Sequence, residues 1–207
     1  MIARRTFVVG LGSLLFGVPL SASAQKKEGP KDKDKTRDES DQVERVVKQL
    51  VAAVREGRDD DARRLIDFQS QAEFIFGADW PKATPAQRDE FLQRYGRVFG
   101  ATMFPKVRDH FKQVSSITYE QAEVVGTDAH LKSTEFIKQP PKTQELKLEY
   151  VLKKRGQWRV FDVMLLAGSI LTLVRDDIVR PVLQTRGWDG VMTELRAKDA
   201  ALSAPKP

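Results

Sequence analysis

The spacing of apolar residues changes part-way along this 207-residue chain, near Val114, and this change most limits the folds that it can adopt. Before that point apolar residues recur every three or four positions, as in residues 43–54, which is typical of an amphipathic helix. In residues 146–152 they alternate with polar residues, which is typical of a half-buried strand. From Ser169 the helical spacing returns. The order predicts a single α+β domain with an antiparallel sheet backed by several helices.

Capping and turn residues predict where these elements begin and end. Helices are expected at about 41–57 and 60–77. Another begins at the sequence Thr-Pro-Ala-Gln of residues 84–87, and Pro105 is expected to stop or kink it. Strands are expected from Val114 onward, with a hairpin turn at 154–157.

The last part of the chain is predicted to be helical again after Ser169. Pro181 is expected to interrupt the first helix, and Gly187 is expected to end it as a C-cap. A final short helix is then expected to begin at Asp189.

The first 24 residues have the three parts of a secretory signal peptide. Arg4 and Arg5 form a basic start, an apolar stretch covers 7–20, and 22–24 read Ala-Ser-Ala before the predicted cleavage point. The apolar stretch is shorter than the about 20 residues that cross a membrane, which favours a cleaved signal over an uncleaved anchor. The two arginines partly match a twin-arginine signal, so the Sec and twin-arginine routes both stay open.

Composition predicts how the rest of the chain is organised. Residues 25–41 contain no large apolar side chain, which predicts a disordered charged linker. The folded domain is expected to cover 42–199, followed by a flexible tail at 200–207. Without the two leader arginines, 33 basic residues stand against 29 acidic ones and are spread along the sequence, so no nucleic-acid partner is expected. The chain has no cysteine, which excludes disulfides and thiolate metal sites.

Three segments resemble the MlaC family, also called the toluene-tolerance family. Residues 80–91, Trp-Pro-Lys-Ala-Thr-Pro-Ala-Gln-Arg-Asp-Glu-Phe, are similar to its x-A-T-P-x-Q-R-x-x-F segment. Residues 158–163, Trp-Arg-Val-Phe-Asp-Val, match a second segment, which a helix opening at Ser169 follows. Residues 183–191 resemble its L-x-x-x-G-x-D-G-L ending. The three segments keep the family's order and spacing over roughly residues 60–198.

The resemblance implies a periplasmic carrier that encloses phospholipid tails in an apolar cavity, without enzymatic activity, metal or cofactor. It also implies two partners, an outer-membrane lipoprotein–porin complex and an inner-membrane ABC transporter with an MCE-domain protein. Such a carrier would move lipid between the membranes and maintain outer-membrane lipid asymmetry. A hopanoid-associated branch of the family leaves a hopanoid or another apolar ligand as an alternative. We expect a monomer.

One turn departs from the family pattern. Where many members have Glu-Gly-Val-Ser, residues 166–169 read Leu-Ala-Gly-Ser, so an apolar side chain replaces a carboxylate. Contacts with a headgroup or a partner at this turn are therefore expected to differ, and the identity of the ligand stays open.

The candidate cavity residues are large apolar side chains on helices and strands that should face each other. Apolar spacing does not distinguish a cavity wall from a filled core, so both interpretations stay open for each residue. The fifteen candidates are Phe74, Phe76, Phe91, Tyr95, Phe99, Met103, Phe104, Tyr150, Leu152, Trp158, Val160, Phe161, Met164, Ile170 and Val174. Basic residues expected to assist docking are Lys82, Arg88, Arg94, Arg97 and Arg186.

The sequence offers few candidates for catalysis. His110 and His130 are its two histidines, and both are predicted at the surface. No spacing such as H-E-x-x-H occurs, so no zinc site is expected. A small-ligand isomerase-like module would need a polar pair inside the cavity, and only Asp162 and Tyr150 are candidates, although Asp162 more simply orders the turn after its strand. A protein-interaction adaptor with a filled core is a further alternative.

Overall fold

The computed structural model describes residues 30–139, 141–165 and 168–203. The helices before the sheet are α1 (Pro30–Arg55), α2 (Asp59–Arg64), α3 (Phe68–Phe76), a 3-10 helix (Gly77–Lys82) and α4 (Pro85–Phe111). The strands are β1 (Val114–Tyr119), β2 (Glu123–Val125), β3 (Asp128–Gln139), β4 (Lys142–Arg155), β5 (Gln157–Leu165) and β6 (Gly168–Ser169). The chain then forms α5 (Ile170–Leu173), a π-helical segment (Val174–Val179) and α6 (Arg180–Ser203). The predicted α+β class is confirmed.

The strands form one antiparallel sheet in the order β1-β3-β4-β5-β6, with β2 also paired to β3. The β4–β5 hairpin turns at Gly156, whose φ of 76° lies in the region that glycine adopts without strain. The ladder register shifts once between β1 and β3, where Ser115 is the extra residue in β1, and once between β4 and β5, where Phe161 is the extra residue in β5. Such bulges bend and twist a strand, so the sheet curves and one of its faces becomes concave.

The concave face of the sheet is covered mainly by α1. Val43 and Val47, one turn apart on this helix, are both 0% exposed. They belong to one buried core with Leu131 of β3 and Leu152 of β4, which are also completely buried. The apolar spacing of residues 43–54 therefore marks a helix face that packs on the sheet, as the sequence predicted.

A second core holds the remaining helices together and consists largely of aromatic rings. The ring of Phe76 lies 4.6 Å from that of Trp188 and 4.9 Å from that of Phe91, measured between centroids. Trp80 contacts the same three rings. This aromatic cluster joins α3, the 3-10 helix, α4 and α6.

Two predicted helix boundaries are confirmed by the local geometry. The Thr84 hydroxyl accepts from the Gln87 backbone N–H at 3.3 Å, and the Gln87 side chain accepts from the Thr84 backbone N–H at 2.8 Å, which is a complete capping box. Gly187 interrupts α6 with φ 62° and ψ −163°. The polypeptide therefore changes direction where the sequence predicted a helix end.

The disordered linker predicted for residues 25–41 is wrong from Pro30 onward, because α1 begins there. Ser40 is only 3% exposed and its hydroxyl accepts from the Ala122 backbone N–H at 3.1 Å. Glu39 accepts from Lys154 at 2.9 Å. These contacts with the sheet are tertiary, so the composition of the segment does not reveal them. The predicted signal peptide lies outside the described residues.

Three further predictions differ from the structure in detail. The helix predicted for 60–77 is split, because Ile66 forms a bridge to Val160 of β5. The predicted break near Phe104 does not occur, and α4 continues past Pro105. Pro105 is exposed, so the backbone carbonyl that loses its donor can pair with water. The buried side chain of Phe104 anchors the helix at this point. The prediction of a flexible tail from residue 200 is wrong as far as Ser203, because α6 extends to that residue; residues 204–207 lie outside the described part.

No helix in the described part of the chain is long and apolar enough to span a membrane.

Candidate functional site

A cavity of about 300 Å³ lies between the concave face of the sheet and helices α1, α4 and α5. All but six of its 23 lining residues are apolar. The apolar ones are Leu50, Val51, Val54, Ile66, Phe99, Met103, Phe104, Val107, Phe111, Leu146, Leu148, Val160, Val163, Leu165, Ile170, Leu171 and Val174, and the polar ones are Gln71, Tyr95, His110, Glu135, Tyr150 and Asp162. We call this the sheet cavity.

A second cavity of about 290 Å³ adjoins the first and lies between α4, α5, the π-helical segment and α6. We call it the helix cavity, and its wall is also mostly apolar, with Val98, Val182, Val191 and Leu195 among its members. Five side chains line both cavities and form the partition between them: Tyr95, Phe99, Met103, Ile170 and Val174.

The structure brings nine of the fifteen predicted residues to a cavity wall. Eight line the sheet cavity: Tyr95, Phe99, Met103, Phe104, Tyr150, Val160, Ile170 and Val174. Phe91 lines the helix cavity only. All five partition residues are among those predicted, and they meet there although about 70 sequence positions separate the residues on α4 from Ile170 and Val174.

Two predicted residues, Leu152 and Trp158, are buried near the β4–β5 turn but line neither cavity. There the backbone of Val160 exchanges hydrogen bonds with Leu65 and Asp67, both 2.8 Å long, so the α2–α3 connection packs directly on the sheet. The cavity opens only farther from the turn. Alternation along a strand correctly indicates which face is buried, but not where along it the helices separate from the sheet.

The other four predicted residues also lie away from both cavities. Phe76 is part of the aromatic cluster. Phe74 and Phe161 meet edge-on at 5.9 Å on the outer side of β5, because Phe161 points away from the concave face. Met164 is 36% exposed near the end of β5. The lipid-binding role of the fifteen candidates stays a prediction.

Glu135 is a cavity residue that sequence reasoning missed. It is 1% exposed on β3, and its carboxylate lies 2.6 Å from His110 Nε2, at the end of α4. The prediction of a surface His110 therefore misses this contact. The sequence held only a partial signal: Glu135 is an even number of residues from the apolar Leu131 and Ile137, which places it on their strand face, but Phe136 breaks the alternation.

Asp162 orders the turn that follows β5, as the sequence predicted. Its carboxylate accepts hydrogen bonds from the backbone N–H of Val163 at 2.8 Å and of Leu171 at 3.1 Å, and from the Ser169 hydroxyl at 2.5 Å. Ser169 in turn caps α5 by accepting from the Thr172 backbone N–H at 2.8 Å. With both oxygens engaged, this carboxylate is a structural group that fixes α5 over the cavity.

Both cavity tyrosines keep their protons. Burial raises the pKa of Tyr95, and the nearby Asp162 charge raises it further. Burial also raises the pKa of Tyr150, with a further contribution from Glu135. Neutral phenol rings suit an apolar wall better than charged ones, since an unpaired buried charge carries a large desolvation cost.

An ion-pair network holds α6 against α4 beside the helix cavity. Asp199 accepts from Arg94 and from Arg97, in each case at 2.6 Å. Glu90 accepts a hydrogen bond from Arg94 at 2.8 Å and two from Arg196, at 2.8 and 2.7 Å. Asp199 is 6% exposed, so its charge is compensated by these two guanidinium groups.

Most of the basic residues predicted to assist docking already have acidic partners within the chain. Besides the pairs of Arg94 and Arg97 with Asp199, Lys82 pairs with Asp79, and Arg186 pairs with Glu194. These cations are therefore less available to an acidic surface than their number indicates. Among the described residues, no group of acidic and histidine side chains is arranged to hold a metal ion.

The sequence profile of the MlaC protein family matches residues 30–197. The chain belongs to the MlaC family. A phospholipid-binding protein from Ralstonia solanacearum, solved in complex with a phospholipid, is similar with a TM-score of 0.63 and 16% identity, over 80% of this chain and 98% of that chain. At that identity the similarity shows a shared fold. An NTF2-like family protein from Streptomyces avermitilis gives a TM-score of only 0.33, with 16% identity over 62% of this chain and 94% of that chain. A search of curated proteins gives no match.

The three MlaC-like segments have distinct tasks in this fold. Residues 80–91 supply Trp80 and Phe91 to the aromatic cluster and start α4 with a capping box. Residues 158–163 supply the cavity residue Val160 and the turn-ordering Asp162. Residues 183–191 supply the bend in α6 and Trp188. The departure from the family pattern at residues 166 and 167 lies outside the described residues.

Proposed function

We propose that this protein is a non-enzymatic carrier that holds the acyl chains of a phospholipid in its sheet and helix cavities. The observation that carries the proposal is the pair of adjoining apolar cavities, each about 300 Å³, within a single domain. Ligand pockets usually measure about 300–1,000 Å³, so the two spaces are of a size that binds ligands. The phospholipid bound by the similarly folded Ralstonia solanacearum protein supports the same ligand class.

The physical basis for carriage is the transfer of hydrocarbon out of water. Each buried methylene contributes about 0.8 kcal/mol, so a chain of about sixteen carbons contributes on the order of 12 kcal/mol when it is enclosed. Enclosing the tails therefore offsets the cost that they would have in water once the lipid has left a membrane, and no catalytic group is needed. The neutral Tyr95 and Tyr150 add no charge to the wall of the sheet cavity.

We further propose that the carrier works in the periplasm and exchanges lipid with an outer-membrane lipoprotein–porin complex and an inner-membrane MCE-domain ABC transporter. The predicted signal peptide and membership of the MlaC family support this location and these partners. Movement of phospholipid between these complexes would contribute to the asymmetry of the outer membrane.

One observation favours a second function, a small-ligand isomerase-like activity. His110 and Glu135 form an imidazole–carboxylate pair on the wall of the sheet cavity, and such a pair can move a proton. The alternative named from the sequence, Asp162 with Tyr150, is less suitable because Asp162 is occupied by its turn.

A vesicle-transfer assay separates the two functions. Donor vesicles carry a fluorescent phosphatidylethanolamine, acceptor vesicles carry none, and the protein is added at a concentration far below that of lipid. A carrier accelerates transfer and returns the lipid with an unchanged structure, which is checked by chromatography and fragment masses because an isomer has the same total mass. Transfer at the rate of vesicles alone would contradict the carrier function. The second function would be supported if the wild-type protein changed the structure of the lipid and His110→Ala did not.

A further inference from the structure

Two buried polar atoms on the wall of the sheet cavity have no hydrogen-bond partner among the residues that the structure describes. They are the hydroxyl oxygen of Tyr95 and the amide oxygen of Gln71. The other three such side-chain atoms, on Ser133, Trp158 and Trp188, line neither cavity. Because an unpaired buried polar atom lowers stability, two of them at one cavity indicate a bound group that pairs with both.

The orientation of the Gln71 amide is fixed by its nitrogen. Nε2 donates to the backbone carbonyl oxygen of Phe161 at 2.7 Å, and that partner can only accept. The amide oxygen is therefore the atom left for the cavity. Gln71 itself is 5% exposed, so bulk solvent does not reach this side chain freely.

Tyr95 approaches the same corner of the cavity from α4. Its ring lies edge-on to that of Phe68 with the centroids 5.6 Å apart, and Phe68 is one turn before Gln71 on α3. The charge of Asp162 acts on the Tyr95 hydroxyl, and Asp162 directly follows Phe161, which holds the Gln71 amide. The hydroxyl keeps its proton because burial raises the pKa of Tyr95. The corner thus offers a neutral donor and a neutral acceptor.

We propose that the sheet cavity binds a lipid whose hydrocarbon part carries a hydroxyl group, which donates to Gln71 Oε1 and accepts from Tyr95 Oη. This inference rests on the proposed lipid-carrier function and specifies the class of its ligand. The preferred ligand is a phospholipid with a hydroxylated acyl chain, bound with the hydroxyl in this corner.

The chemistry of the corner favours a hydroxyl over other groups on a lipid chain. A hydroxyl both donates and accepts from one atom, whereas an ester or ketone oxygen only accepts and would leave Gln71 unpaired. A carboxylate would lose its hydration close to the like charge of Asp162. An amine would also lose its hydration, and the Asp162 carboxylate is already engaged in the turn after β5. An unsubstituted chain would leave both protein atoms unpaired.

The test compares four phosphatidylethanolamines with equal chain lengths. One has unsubstituted chains, and the other three carry a hydroxyl near the ester end, in the middle or near the methyl end of one chain. Dissociation constants are measured for the wild-type protein, for Tyr95→Phe and for the control Tyr119→Phe. Tyr119 is a half-buried tyrosine on β1 that lines neither cavity.

For each protein, the ratio of its affinity for a hydroxylated lipid to its affinity for the unsubstituted lipid is calculated. At one hydroxyl position, we expect this ratio to be roughly tenfold larger for the wild-type protein and for Tyr119→Phe than for Tyr95→Phe. Comparing ratios removes the difference in water solubility between the lipids. Equal ratios in all three proteins at every position would overturn the inference and show that water serves the corner, while the carrier function would stand. Failure to bind any of the four lipids would overturn the carrier function as well.

Discussion

The partition between the two cavities gives a direct way to block both with one substitution. Val174 lies on the π-helical segment and lines the sheet cavity and the helix cavity together. Val174→Phe adds about four carbon atoms to the side chain, and these must occupy space that the account assigns to acyl chains. We expect the variant to fold and to lose most of its affinity for phospholipid.

The size of the effect follows from the volume displaced. If the added ring excludes about four methylenes of lipid, at about 0.8 kcal/mol each, binding loses about 3 kcal/mol. A loss of that size weakens binding roughly a hundredfold, since each 1.4 kcal/mol is about a factor of ten. The same ring fills a void in the lipid-free protein, so its free energy of unfolding should stay the same or rise by up to about 3 kcal/mol.

The assay combines lipid affinity, measured with a fluorescent phosphatidylethanolamine, with thermal unfolding followed by circular dichroism. Val125→Phe is the matched control, because Val125 is 77% exposed on β2 and lines neither cavity. Its affinity should equal that of the wild-type protein. A Val174→Phe protein that binds lipid as tightly as Val125→Phe would refute the placement of the acyl chains, whatever its stability.

Three further predictions test other parts of the structure. Val160→Asp places a carboxyl group on the cavity wall, so lipid extraction should find no lipid, and circular dichroism should show a folded protein destabilised by about 1–3 kcal/mol. The Arg97 and Arg94 guanidinium groups lower the pKa of Asp199 in the folded state, so their stabilisation is present above the unfolded pKa and is lost as the pH falls. Lowering the pH from about 5 to about 3 should therefore reduce the free energy of unfolding of the wild-type protein more than that of Asp199→Asn. Tyr95→Phe removes an unpaired hydroxyl and should stabilise the lipid-free protein by about 1 kcal/mol in urea unfolding, whereas a loss of stability would show that the hydroxyl is paired.

Local signals in the sequence predicted the elements well where a residue pattern acts through its own neighbours. The capping box at Thr84, the hairpin turn at Gly156 and the bend at Gly187 depend on backbone geometry within a few residues, and the structure has each of them. The helix before Ser40 was missed because partners on the sheet stabilise it, and its charged composition carries no trace of them.

The cavity was predictable in kind but only in part by residue. Alternation placed Tyr150 and Leu152 on one buried face, yet Tyr150 lines the sheet cavity and Leu152 is buried without lining either cavity. The difference depends on where the α2–α3 connection packs on β5, which is a property of the three-dimensional arrangement. Glu135 was missed because the candidates were chosen as large apolar side chains, which excludes a carboxylate on a buried strand face.

Native mass spectrometry of the protein, expressed from the full sequence with its predicted signal peptide in a Gram-negative host and purified without detergent, tests the central claim most directly. The account predicts a folded protein whose mass exceeds that of the polypeptide by one diacyl phospholipid, and organic extraction should recover that lipid. Val125→Phe should carry the same extra mass, and Val174→Phe should carry much less of it. A wild-type protein with the mass of the polypeptide alone, still lipid-free after incubation with phospholipid vesicles, would contradict the account.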